Sequence, residues 1–506
     1  MNMKIKYLTI ILGAATVMGC TDLTEEVYSE IPADNFFKNE RELISNVGRA
    51  YTKLQAYGTE QSLWTLNIQV TDECAAPVNA NGSWTEERYQ ELQYHNFSQS
   101  NKLVRMGWEY CFDGVAACNE ILYTTDQSDI DFEGKDKILA EVKLLRAYFY
   151  FMGVDGWGNV PFSEDYSDPS YPEQKDRNFM FSWIENEILE NVDKLEQNPT
   201  PEYYGRVTQG MAYTLLAKLY MMSQEWTGIP RWAEAEAACK KVIDSGAYLI
   251  EDNYSDNFKP YNEGSRENIF TIVYNTIYTT SDHNAFIIYM LVLHPSSCAT
   301  FNIPATPWDG FVCQPDFFAK YDPADTRRSD SWLYGQQYDV TGKPIDGFVI
   351  TPLFEESKYR DGRDTYDGAK LKKWSYQTDG LLLGGQTSME NDFALFRYAD
   401  VILMYAESLV RQGRAAEAAG LDELAKIRTR AGLVPYSAGQ LTLEELYDER
   451  GRELAWEGWR RQDMIRFGKF NDPWWAKKAS AQNKKIYPIP REALASNPNL
   501  VQNPGY

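Results

Sequence analysis

Two stretches of this chain repeat one unit, a pair of helices with small residues where they cross. In the first, 206–225 places Val207, Met211, Leu215 and Leu219 on one apolar stripe at helical spacing. A glycine–proline break at 228–230 follows, and 231–245 then carries Ala235, Ala238 and Val242 before Gly246 ends the helix. The second unit spans 397–432, with a tight turn near Gly413. Paired helices recurring in units of about 35–40 residues indicate tetratricopeptide-like repeats. One such unit cannot bury its apolar face alone, which commits the chain to a mostly α architecture.

Other segments agree. Asn39 can cap a helix with Glu42 three residues on, followed by Leu43, Val47, Tyr51 and Leu54 and closed by Gly58. Residues 101–124 and 135–153 are helical in period, and Thr442 with Glu445 forms a capping box for 443–457. Between the repeats, 250–390 is rich in Gly, Pro, Asp and aromatics, with short β-type runs such as 269–278. It is too long for a simple loop and reads as an irregular insertion on the helical scaffold. The Pro- and Asn-rich end, 487–506, reads as an extended strap without a helix. The division expected is 1–19 leader, 20–33 tether and one domain over 34–506. That domain splits into helices at 34–249, the insertion at 250–390, and a last repeat with its strap at 391–506.

At the N-terminus, Lys4 and Lys6 precede an apolar run too short to span a membrane, which meets Val17, Met18, Gly19 and Cys20. This is a secretory signal ending in a lipobox, with Cys20 as the acylated residue. Asp22, Glu25, Glu26 and Glu30 then mark an acidic tether of at most about 40 Å. Six cysteines remain: Cys74, Cys111, Cys118, Cys239, Cys298 and Cys313. Cys111 and Cys118 lie about 10.5 Å apart on a helix, too far to bridge. Cys298 and Cys313 flank a loop and could pair; buried free thiols are the preferred reading.

The net charge of −23 argues against a nucleic-acid partner. Three His leave little room for His-based metal or acid–base sites, no EF-hand spacing appears, and no cofactor or metal is expected. HExxH, GxSxG and P-loop patterns are absent from the sequence. Tyr (34) outnumbers Phe (23), beside 14 Trp, a balance that suits half-wet surfaces.

Four stretches carry a family resemblance: 144–162 (LLRAYFYFMGVDGWGNVPF), 396–414 (FRYADVILMYAESLVRQGR), 446–470 (LYDERGRELAWEGWRRQDMIRFGKF) and the terminal PIP…NPNLVQNPGY. With the lipobox, they resemble the SusD-like (RagB/SusD) outer-membrane lipoproteins in the right order over nearly the whole mature chain. The acidic tether resembles the export tag of such surface lipoproteins. The resemblance implies a right-handed superhelix of tetratricopeptide-like helix pairs, an irregular region between the third and fourth pairs, and no enzymatic activity. It implies capture of glycan at the cell surface and delivery to a TonB-dependent SusC-like barrel, with the protein moving as a lid.

Read from the residues, 446–470 is structural. Glu449, Arg450, Glu453, Glu457, Arg460, Arg461, Asp463 and Arg466 sit on or near one helix at spacings that let them pair along its surface, a charge lattice that locks helices together or faces a partner. The Arg neighbours argue against Glu453 and Glu457 as a glycosidase acid/base pair, since a general acid needs a raised pKa. Gly153, Gly156 and Gly158 read as turn glycines around Trp157.

A neutral sugar offers a C–H face for aromatic stacking and a hydroxyl rim for Asp, Asn and Arg. Two loops carry those types. The first, 71–95, holds Asp72, Asn81, Trp84, Arg88 and Tyr89, with Trp84 following an Asn-Gly-Ser turn. The second, 301–318, holds Trp308 and Asp309 in a P-W-D-G turn. Tyr278, Trp332 and Tyr334 are secondary candidates. The rivals are a helical glycoside hydrolase or lyase, a purely protein-binding adaptor, and a family member that takes peptide or another nutrient.

Overall fold

The computed structural model describes residues 39–506 apart from 198, 281–283, 304 and 377–387. The leader, the tether and Cys20 lie outside the described residues. Helix α1 (Glu40–Leu54) opens where the Asn39 side chain accepts from the Glu42 amide (3.1 Å). It passes through a short 3₁₀ turn into α2 (Leu63–Gln69). Then α3 (Lys102–Asp126), α4 (Lys135–Trp157), α5 (Arg177–Asn191), α6 (Gln209–Thr227) and α7 (Trp232–Asp244) follow, each packed on the next. Side-chain caps start three of these five, from Asn101, Asp176 and Thr208, and satisfy amides the helix itself leaves free. Gly228, at φ +79°, closes α6 in the left-handed conformation that glycine adopts without penalty.

Helix α8 (Tyr398–Arg411) packs on α6 and α7, joining the two repeat units foreseen in the sequence; α9 (Asp422–Arg430), α10 (Leu443–Glu453) and α11 (Arg460–Arg466) complete the scaffold. Thr442 caps α10 as its box predicts, accepting from the Glu445 amide at 3.1 Å.

The insertion is tied at both ends. Asn268–Ile272 pairs antiparallel with Phe393–Arg397, Phe393 opposite Ile272 and Arg397 opposite Asn268. The β-run expected over 269–278 stops at Ile272. Beyond it the Asn275 side chain accepts from the Ile277 amide, a local turn that outcompetes strand pairing, and Ile277 and Tyr278 emerge into solvent. Within the insertion Val312–Cys313 pairs with Cys74–Ala75, and Gly335–Tyr338 with Pro344–Ile350. Cys74 faces Cys313, so the Cys298–Cys313 pairing is not formed; the six described cysteines are free thiols, all but Cys298 buried.

Three expectations are corrected. The terminal strap contains a helix, Arg491–Ser496, starting directly after Pro490, where a proline costs no hydrogen bond, and built from the helix formers Glu492, Ala493 and Leu494. Gly153 and Gly156 belong to α4, where a side chain at Gly153 would crowd Phe112; only Gly158 (φ +75°) turns the chain. The charges of 446–470 do not line the surface of one helix. Trp456 and Gly458, both at positive φ, break the segment into α10 and α11, and the eight charges named above are buried, where they lock helices together as expected.

Those buried charges bind the scaffold to the insertion. Glu453 receives Arg327 (3.0 Å), Arg397 (3.1 Å) and Arg430 (2.6 Å). Glu457 receives Lys373 and Arg397, each at 2.6 Å. Asp400 on α8 bridges Lys218 on α6 (2.5 Å) and Arg450 on α10 (2.8 Å). Burial alone would raise the Glu453 carboxyl, but Arg430, Arg397 and Arg327 outweigh it and hold it below the usual range. Glu453 is therefore a clamp for three guanidinium groups and not a proton donor.

Candidate functional site

A cavity of about 1050 Å³ opens between the helical scaffold and the insertion. One wall is helical: Lys53 comes from α1, Glu60 from the link between α1 and α2, and Glu109 and Asp113 from α3. The facing rim comes from the insertion, with Tyr278 80% exposed and Trp308 42% exposed. Large aromatic rings left this open are what a stacking ligand needs.

The Trp308 ring rests on a built support. Its amide donates to the Met290 carbonyl (2.7 Å), and the next two amides donate to the Leu293 (3.0 Å) and Leu291 (2.8 Å) carbonyls. Asp309 adopts φ +57°, an uncommon conformation for a residue with a Cβ. It is held there by Lys370 (2.5 Å) and Arg363 (2.8 Å) on its carboxylate, and by Asn79 (2.9 Å) and Arg363 (2.8 Å) on its carbonyl. Burial would raise the Asp309 carboxyl; Lys370 and Arg363 overcome it and keep it below the usual carboxylate range. Burial, with Arg363 beside it, pulls Lys370 down to about 7.

Trp84 stands behind Trp308. The Asn81-Gly82-Ser83 turn sets it at φ +61°, and its Nε1 donates to the Trp308 carbonyl at 2.8 Å. Its ring lies against Gly310, where an added Cβ would come within 2.2 Å of it. Trp84, Tyr89 and Phe311 form a cluster with centroids 5.4–5.5 Å apart. The Tyr89 hydroxyl donates to Glu60 (2.8 Å), as does Arg88 (3.1 Å). Burial first, and then the Glu60 carboxylate, push the Tyr89 phenol above its ordinary value.

The sequence candidates thus separate. Tyr278 and Trp308 line the cavity; Trp84, Arg88, Tyr89 and Asp309 hold its walls from behind. Asn81 is exposed on its turn, where its side-chain Oδ1 accepts from the Ser83 amide. Asp72, expected to meet ligand, is buried and clamped by both arms of Arg460 (2.8 Å each), which leaves no carboxylate oxygen for a sugar. Trp332 is 1% exposed and packs edge-on against Trp456, so its faces are spent on the core. Tyr334 packs on Phe318 and under Arg328 and does not line the cavity. Sequence reasoning missed the acidic helical wall. Its only signal was Glu109 and Asp113, like charges four apart on one helix, a pairing that opposes helix stability.

Comparison with known proteins bears on this architecture. Residues 313–506 match the SusD family. Starch-binding protein SusD of Bacteroides thetaiotaomicron is 26% identical over 491 residues, covering 89% of this chain and 86% of that protein. The chain is similar to the SusD-like family. A SusD-like protein of Formosa agariphila, P25, is 25% identical, with 78% of each chain covered. Among solved structures, surface glycan-binding protein A from Bacteroides thetaiotaomicron in complex with laminarihexaose superposes with a TM-score of 0.75 at 21% identity, over 92% of this chain and 99% of that one. A laminarin-binding SusD-like protein gives 0.75 at 24% identity, over 93% and 100%. At these identities the structural match establishes the fold, a mostly helical tetratricopeptide-like architecture with few short strands.

Proposed function

We propose that this SusD-like protein captures a carbohydrate chain in the cavity between α1, α3 and the insertion, and performs no chemistry on it. The observation that carries the reading is the pair of open rings, Tyr278 and Trp308, facing a wall of hydrogen-bonding side chains across about 1050 Å³. Rings take the C–H face of a sugar, while carboxylates and amides take its hydroxyls. Relatives described as starch-binding and laminarin-binding support a glycan as the ligand class. The finer steps follow the family resemblance: acylation at Cys20, a position on the outer membrane facing the exterior, and delivery of the glycan to a SusC-like transporter.

Titration calorimetry against a panel of glycans tests the reading. One polymer should bind, without release of new reducing ends. Trp308→Ala and Tyr278→Ala should each weaken that binding by about 1–2 kcal/mol, roughly 5- to 30-fold. Release of new reducing ends, or binding of peptides in place of glycans, would overturn it.

A further inference from the structure

The charge on the cavity wall narrows the ligand further, on the premise that the cavity takes a glycan. Glu60, Glu109 and Asp113 place three carboxylates on the lining, and Lys53 is the single lining cation among the described residues. Lys53 reaches Asp113 only at 3.9 Å, with the two side chains 44% and 64% exposed. The cations that answer Glu60 and Glu109 lie outside the lining: Arg88 bonds Glu60 (3.1 Å) and Arg105 bonds Glu109 (2.7 Å). A ligand in the cavity therefore meets carboxylate oxygens first and guanidinium groups second. The spacing of Glu109 and Asp113 adds weight: like charges at i and i+4 face each other on α3 at a cost to the helix. Both are exposed enough to serve a ligand, 41% and 64% at the side chain.

We infer that the cavity selects a neutral, hydroxyl-rich chain and rejects the same chain once it carries carboxylate or sulfate groups. Each carboxylate oxygen accepts from sugar hydroxyls and has nothing to donate to an anionic substituent. An anionic group in the cavity would lie beside like charges, with one weakly engaged ammonium in compensation.

The test uses laminarin and soluble starch, each beside its own carboxymethylated derivative, so that backbone and length stay fixed. Calorimetry at about 10 mM and about 1 M salt spans screening lengths from about 30 Å to about 3 Å. The purified protein should bind at least one neutral polymer and bind its derivative about tenfold or more weakly at low salt, with the gap closing at high salt. In the double variant Glu109→Gln/Asp113→Asn, neutral binding should weaken as charge-assisted acceptors become amide acceptors, while the ratio of neutral to derivative affinity at low salt falls about tenfold, toward one. Equal binding of polymer and derivative at low salt, or preference for the derivative, would overturn the selectivity and leave glycan capture standing. A gap that the double variant leaves unchanged would also overturn it, by moving the discrimination elsewhere. Absence of binding to both neutral and derivatised polymers, with an intact melting transition, would overturn capture and selectivity together.

Discussion

At the scale of single residues, the support under the aromatic rim is more demanding than the rim itself. Gly310 has no space for a side chain: a Cβ would sit 2.2 Å from the Trp84 ring. Gly310→Ala should displace Trp84, loosen its bond to the Trp308 carbonyl and cost about 1–3 kcal/mol of stability, with weaker ligand binding beside it. A thermal melt and a titration check both effects. Trp84 and Trp308 were visible in the sequence because turn residues flank them; their division of labour was not, since it depends on contacts across 224 residues. Asp72 shows the converse. A carboxylate on a polar loop reads as a ligand contact until Arg460, far away in sequence, appears beside it.

Glu73, next to Asp72, is buried and pushed up to about 8, chiefly by burial, with one carboxylate oxygen on the Trp456 amide (2.8 Å). The folded state holds this proton more tightly than the unfolded chain does. Between about pH 4.5 and 8 the folded state therefore binds more protons, and stability from this group is lost as pH rises through that window. Glu73→Gln keeps the acceptor and removes the titration. The variant should gain melting temperature relative to the parent as pH goes from 5 to 8, read from paired thermal melts. A constant difference across that range would contradict the assignment.

Among elements, the segment after Thr442 sets the frame. Periodicity identified the helices because each buries a stripe, and capping residues marked where they begin. For 446–470 the spacing disclosed a charge lattice that locks helices together, as Arg450 does with Asp400 and Arg466 with Glu407, but placed it on one helix surface, because spacing suits surface pairing and buried pairing equally well. What decided it were partners on other elements, Arg327, Lys373, Arg397 and Arg430, which no local pattern reveals. Glu453→Gln should withdraw one carboxylate charge shared by three buried guanidinium groups, which keep Asp325, Glu449, Glu267 and Glu457 as partners, and destabilise the protein by about 3–5 kcal/mol, measured by denaturant unfolding. The exposed Asp113→Asn should stay within about 0.5 kcal/mol in the same measurement. A mild effect at Glu453 would show the network to be less tightly coupled than its geometry indicates.

For the whole molecule, the arrangement is a rigid helical stack carrying a less regular segment at the place where a ligand can be met. The pairing of 268–272 with 393–397 closes the insertion into a unit, and the buried ion pairs fix it to α10. The cavity then forms from both parts: rings from the insertion, carboxylates from α3 and from the link between α1 and α2. The insertion was legible as irregular and aromatic, but which rings reach solvent was not, because that follows from how its ends are tied down. The most direct measurement is a crystal structure of the protein with the glycan that binds most tightly in calorimetry. A sugar ring should lie with its C–H face within about 4 Å of the Trp308 or Tyr278 ring, its hydroxyls directed at Glu60, Glu109 or Asp113. A glycan bound with neither ring in contact, the cavity left empty, would contradict the account.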